Sequence, residues 1–139
     1  RYEWSGEIQK FIKTMKNHPN LLISYNNASF KDYSDRSFVV VTSASSVAYT
    51  FPIKHLCPAI LYFKDKNIFD KNIGGIRFFE DRIHLKASSG AEIILQVKMA
   101  KDKELLEKIL KYRKEEVVNF KQASEVIADS IVQIIHKER

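Results

Sequence analysis

The sequence predicts an α+β fold: an N-terminal helix, an antiparallel β-sheet of five to six strands, and a long C-terminal helix or helix pair packed on the sheet. Three observations carry this expectation. Apolar residues recur at helical spacing near the start, alternate with polar ones in the middle, and return to a helical period after Asp102. The 139 residues, 45% apolar and 29% charged, suit one globular domain with a packed core. Within it, residues 1–20 would form the helical start, 37–100 the sheet and 102–139 the helical end.

Ser5 is placed to cap a first helix running to Asn17. Ile8, Phe11, Ile12 and Met15 follow i, i+3, i+4, i+7 spacing, with Trp4 just before them and His18-Pro19 just after. Lys10, Lys13 and Lys16 fall off that stripe and read as solvated charges. The polar segment 24–36 reads as a loop or irregular strand. Ser37 to Ser43 is a β-branched run of the kind buried on both sheet faces. A second strand, Val47 to Ile53, should end near Pro52, because proline cannot donate to a central ladder. Ala59 to Phe63 stays open between strand and helical turn. Lys64 to Asn72 reads as a loop anchored by Ile68 and Phe69, and Gly74-Gly75 as a turn or bulge.

The clearest alternation lies between Ile76 and Met99. Ile83, Leu85 and Ala87 alternate with Arg82, His84 and Lys86, and Ile93, Leu95, Val97 and Met99 with Glu92, Gln96 and Lys98. Ser88-Ser89-Gly90 between them suits a three-residue hairpin loop. Pairing Ala87 with Ala91 sets Lys86 opposite Glu92 and Glu80 opposite Lys98, so opposite charges meet across the strands. From Asp102, a capping residue, Leu106, Leu110, Val117, Phe120, Ile127, Ile131 and Ile134 follow alternating three- and four-residue steps. Extra apolar residues at Leu105, Ile109, Val118, Val126, Val132 and Ile135 make the stripe too wide for a simple two-stranded coil. This is a helix, or two helices broken near Arg113 to Glu116, that packs on the sheet first.

Composition narrows the function classes. No apolar run approaches the roughly 18 residues of a membrane span, so the chain is expected to be soluble. It begins at Arg1 and not Met, which reads as an excised or processed fragment, and localisation stays open with a preference for the cytoplasm. The formal net charge of +6 is spread along the chain, with no Lys/Arg block of the kind a nucleic-acid tail needs. The single Cys57 lies in the apolar run Leu56-Cys57-Pro58-Ala59-Ile60, where a free thiol acts as a small hydrophobe. The four histidines are far apart and fit no zinc spacing, and no Gly-rich stretch forms a phosphate cradle. Neither a metal nor a cofactor is implied.

Gln96-Val97-Lys98 resembles the acidic-or-Gln, any residue, Lys half-motif of PD-(D/E)xK nucleases. The resemblance implies a strand presenting a metal-binding group and a lysine on one face, with Glu80 or Asp81 from the neighbouring strand. The hairpin register sets Glu80 beside Lys98 but turns Asp81 the other way, so Glu80 and Lys98 read first as a cross-strand ion pair. The order of strands, final hairpin and C-terminal helix over Ser37 to Lys114 resembles pleckstrin-homology-like domains of the bacterial and GRAM type. That resemblance implies a non-catalytic module in which Lys54, Lys64, Lys66, Lys71, Arg82 and Lys86 would meet an acidic lipid headgroup or protein segment.

The functional expectation is therefore a non-enzymatic interaction module. A protein partner or a second copy of the chain stands ahead of an acidic membrane surface, and nucleic acid comes last. The partner surface is placed on Val117, Phe120, Ile127, Ile131 and Ile134, since a helix reaching past the sheet leaves its apolar face uncovered.

Overall fold

The computed structural model of the chain describes residues 6–21, 33–73, 76–77, 79–117, 119 and 122–137. The chain divides into two compact units, residues 1–36 and 37–139. In the first unit, helix α1 spans Gly6–Met15. The Met15 carbonyl accepts from the His18 amide at 3.0 Å, closing the helix before Pro19. Ile12 and Met15 are half-buried while Phe11 is exposed. Trp4 and the expected cap Ser5 lie outside the described residues.

In the second unit the chain runs through β1 (Val40–Thr42), α2 (Val47–His55), β2 (Ala59–Tyr62), a 3₁₀ turn (Lys66–Asp70), β3 (Asn72–Ile73), β4 (Ile76–Arg77), β5 (His84–Ala87), α3 (Gly90–Met99), α4 (Lys103–Glu116) and α5 (Ala123–Lys137). β1, β2 and β5 form a three-stranded sheet in that order, and both pairings are parallel. β3 and β4 form a separate two-residue antiparallel ribbon. The expected antiparallel sheet of five to six strands is thus overturned. Parallel neighbours need crossovers. Helix α2 supplies the first, and the 3₁₀ turn with its ribbon supplies the second.

Two expected strands are helices. Val47 to Ile53, read as a strand from its β-branched and aromatic residues, forms most of α2. Its surroundings override propensity: Ala48, Phe51 and Pro52, spaced i, i+3, i+4, are all buried on one face, which a helix presents and an alternating strand does not. The second hairpin arm, Glu92 to Met99, is α3. Ile93, Gln96, Val97 and Ala100 face inward at i, i+3, i+4, i+7, while Ile94, Leu95, Lys98 and Met99 are exposed. The same letters satisfy a period of two and a period of 3.6. Start chemistry decides between them. Ser89 is extended and its Oγ accepts from the Glu92 amide at 3.2 Å, while the Glu92 carboxylate accepts from Ser88 N at 2.7 Å and Ser88 Oγ at 2.9 Å. This closely resembles a capping box, and it stabilises a helix start where a hairpin loop was expected.

β2 is the centre of the core. Ala59, Ile60 and Leu61 have no exposed surface, so both faces of this strand are covered. Side chains level in parallel register share a face, which sets Leu61 and His84 on the side where Ala48 of α2 and Phe69 close the cluster. β1 is half-exposed, with Val41 at 44%, and is not the doubly buried strand expected of Ser37 to Ser43.

The C-terminal region is a helix pair. Asp102 caps α4 by accepting from the Glu104 amide at 2.8 Å. The break falls after α4, where Asn119 adopts φ 53°, a left-handed backbone that asparagine tolerates better than most residues. α4 packs against α2 and buries Ile109 completely. Every described side chain of α5 is exposed, and α4 packs against helix α2, so the expected packing of the whole region on the sheet is not the arrangement found.

Candidate functional site

The most connected polar structure starts from Pro52. A proline at that point of α2 has no N–H to give to the carbonyl four residues back, which belongs to Ala48. That buried carbonyl is instead taken by Nε2 of His84 at 3.0 Å. The other ring nitrogen, Nδ1, accepts from the Glu80 amide at 3.0 Å. These two partners require the neutral tautomer protonated on Nε2. Burial pushes the His84 pKa below its ordinary value, in keeping with a ring that stays neutral. Tyr49 meets the ring edge-on at 4.9 Å. With both nitrogens committed, His84 has no lone pair or proton left for chemistry.

Glu80 extends the chain of contacts. Its carboxylate takes Arg82 Nε at 2.8 Å and Arg82 NH2 at 3.1 Å, and the Arg82 hydrogen bonds hold its pKa down to about 2. Arg82 also reaches Glu115 at 3.2 Å and Glu116 at 3.1 Å, and its guanidinium stacks 4.5 Å from the centre of the Tyr112 ring. It therefore fastens the segment before β5 to α4.

A cleft of about 330 Å³ lies against this network, lined by Phe69, Asp70, Phe79, Glu80 and Asp81. A neighbouring one of about 270 Å³ shares Phe69 and Asp70 and adds Lys66, Lys86, Ser88 and Glu92. The charges here answer one another. Lys86 sits 4.3 Å from the Phe79 ring centre and 3.8 Å from Asp70, and Lys66 lies 3.3 Å from Glu92. Among the described residues, no three His, Cys, Asp or Glu side chains are grouped to hold a metal ion. Cys57 is half-buried, its thiol lies 3.4 Å from the His55 carbonyl, and burial raises its pKa, which disfavours a reactive thiolate.

The residues named from the sequence do not converge. Gln96 and Lys98 stand on helix α3, where positions two apart point roughly 200° from each other. The premise of the nuclease reading, one strand face carrying both, is absent. The Glu80–Lys98 pair of the expected hairpin is also replaced, since Glu80 binds Arg82 and Lys98 is exposed on a helix. Asp81 is exposed at the cleft rim.

Of the basic set, Lys66, Arg82 and Lys86 carry the internal ion pairs just described. Lys54 is exposed on α2, while Lys64 and Lys71 are exposed in the connections on either side of the 3₁₀ turn. The element order that suggested the pleckstrin-homology-like resemblance is not the order observed, because its final hairpin is a strand followed by a helix.

The expected partner residues fare differently. Val117 is half-buried at the end of α4, Phe120 lies outside the described residues, and Ile134 is in α5 without a described side chain. Ile127 and Ile131 are 60% and 52% exposed, and Val126 beside them is 39% exposed. A second apolar group missed by sequence reasoning, Ile94, Leu95 and Met99, is exposed on α3. Its signal was the Ser89-x-x-Glu92 start, which turns an alternating strand into a helix with an outward stripe. Among the described residues no helix is long and apolar enough to cross a membrane. Comparison of the chain with protein-family models, curated proteins and solved structures finds no match.

Proposed function

We propose that this chain is a non-enzymatic protein-interaction module whose contact element is α5. One observation carries the reading: an amphipathic helix of 15 residues has every described side chain exposed, with Val126, Ile127 and Ile131 together on it. Exposed β-branched side chains gathered on one helix are the anchors an apolar groove or a second helix receives. The polar network supports the same conclusion by elimination. His84 and Glu80 are committed to holding α2, β5 and α4 together, and three of the six basic residues that would meet an acidic headgroup already have carboxylate partners.

The test places a photoreactive residue at position 131 and a control at Lys111 on the exposed side of α4. Crosslinks to another polypeptide are expected from position 131 alone, and they should vanish when Ile127→Lys is added. Ile127→Lys with Ile131→Lys should leave the unfolding free energy at low protein concentration within about 0.5 kcal/mol, as for surface substitutions. A loss of about 2 kcal/mol or more would mean that α5 packs on its own chain, and the reading would be withdrawn.

A further inference from the structure

We infer that the cleft walled by Phe69 and Phe79 takes an organic ammonium on an unbranched apolar stem, the chemistry shared by a lysine side chain and an alkyl diamine. The cleft measures about 330 Å³, and its described lining residues are two phenylalanines and three acids, Asp70, Glu80 and Asp81. None of them is basic, in a chain whose net charge is +6. A concave surface lined by one sign of charge gathers ions of the other. The apolar walls suit a hydrocarbon stem and the acids suit the cation at its end.

The fold itself shows that these rings hold an ammonium. Phe69 and Phe79 meet edge to face, with centres 5.9 Å apart and planes at 77°, and so form a corner. Lys86 Nζ stands over both rings, 4.3 Å from the centre of Phe79 and 5.4 Å from that of Phe69. Both distances fall within the roughly 6 Å over which a ring face attracts a cation. Lys86 is nevertheless a weakly held occupant. Its side chain is 44% exposed, and its carboxylate contact, to Asp70, spans 3.8 Å. Surface pairs of that kind contribute little, so an ammonium from outside can take the place. The incoming stem then lies on the two rings while its charge meets Asp70 and Asp81, both exposed. Glu80 stays with Arg82, so the His84 network is undisturbed. The ligand has the opposite sign to an acidic headgroup, for which Lys86 itself would be the contact. This site stands or falls independently of α5.

Titration of the full chain with acetyl-lysine methylamide, followed through the NMR signals of its phenylalanine rings, tests this. The Phe69 and Phe79 signals should move, with half-saturation in the millimolar range. The norleucine analogue, which keeps the stem and lacks the charge, should leave them in place. Asp81→Asn should weaken the lysine compound about threefold, and Lys86→Met, which removes the internal occupant, should tighten it about fivefold. A gain in binding cannot come from a chain that has failed to fold. Diaminopentane separates the two sources. A lysine compound bound at least as tightly assigns the site to a polypeptide side chain, and a tighter diamine assigns it to a free amine.

Four results would each overturn the inference. They are ring signals that stay still, equal movement with the norleucine analogue, a Lys86→Met chain that binds no more tightly, and movement with acetyl-glutamate methylamide in place of the lysine compound.

Discussion

Replacing His84 with leucine tests the polar chain that begins at Pro52. Leucine is close to histidine in volume, so the cavity contribution is small. The change is instead to hydrogen bonding. The Ala48 carbonyl and the Glu80 amide each lose a partner held at 3.0 Å. A buried polar group left unpaired costs about 1–3 kcal/mol, so with two such groups His84→Leu should destabilise by about 2–6 kcal/mol.

The proline supplies an internal control. Pro52→Ala restores an N–H that can reach the Ala48 carbonyl within α2. In that background His84→Leu should cost about 1–2 kcal/mol less than in the wild type. Urea unfolding of the four proteins, followed by far-UV circular dichroism, gives the coupling energy. Additivity within about 0.5 kcal/mol would refute the idea that His84 answers the carbonyl orphaned by proline.

Two further predictions concern the pH dependence of these contacts and the start of α3. Stability should fall in two steps as pH drops. The unfolded chain protonates His84 near 6.5 while burial keeps the folded ring neutral, so stability is lost below that pH, with a limiting slope of about 1.4 kcal/mol per unit. Glu80 adds a second loss from its ordinary value near 4.5 down to about 2, worth about 1–2 kcal/mol after solvent screening. His84→Leu should erase the first step and leave the second, and urea midpoints measured across pH would show otherwise if another group were responsible. Gly90→Ala separates helix from hairpin at 88–99. A Cβ at Gly90 meets nothing within 4 Å, so alanine at this first helical position should raise stability by about 0.5–1 kcal/mol. In the expected hairpin loop glycine would carry the left-handed turn, and thermal melting would instead show a loss.

The sequence by itself determined what depends on neighbours along the chain. α1, the Asp102 cap, the helical C-terminal region and the β5 strand were all legible there. Charge balance spoke against a polyanion tail, and the spacing of Ile127 and Ile131 marked the apolar stripe of α5. Only the tertiary structure decided strand direction, the identity of α2 and α3, and the fate of the basic residues. The physical reason is range. Ser43 to Ser46 permits a turn between antiparallel strands or a passage from β1 into α2, and what selects the second is Ala59 to Tyr62 lying between two parallel neighbours. Proline inside α2 conflicts with local propensity, and the group that answers its orphaned carbonyl stands 36 residues away. Arg82 looked available for a ligand until Glu115 and Glu116, more than 30 residues further on, came within reach. No window along the chain contains such pairs; folding brings them together.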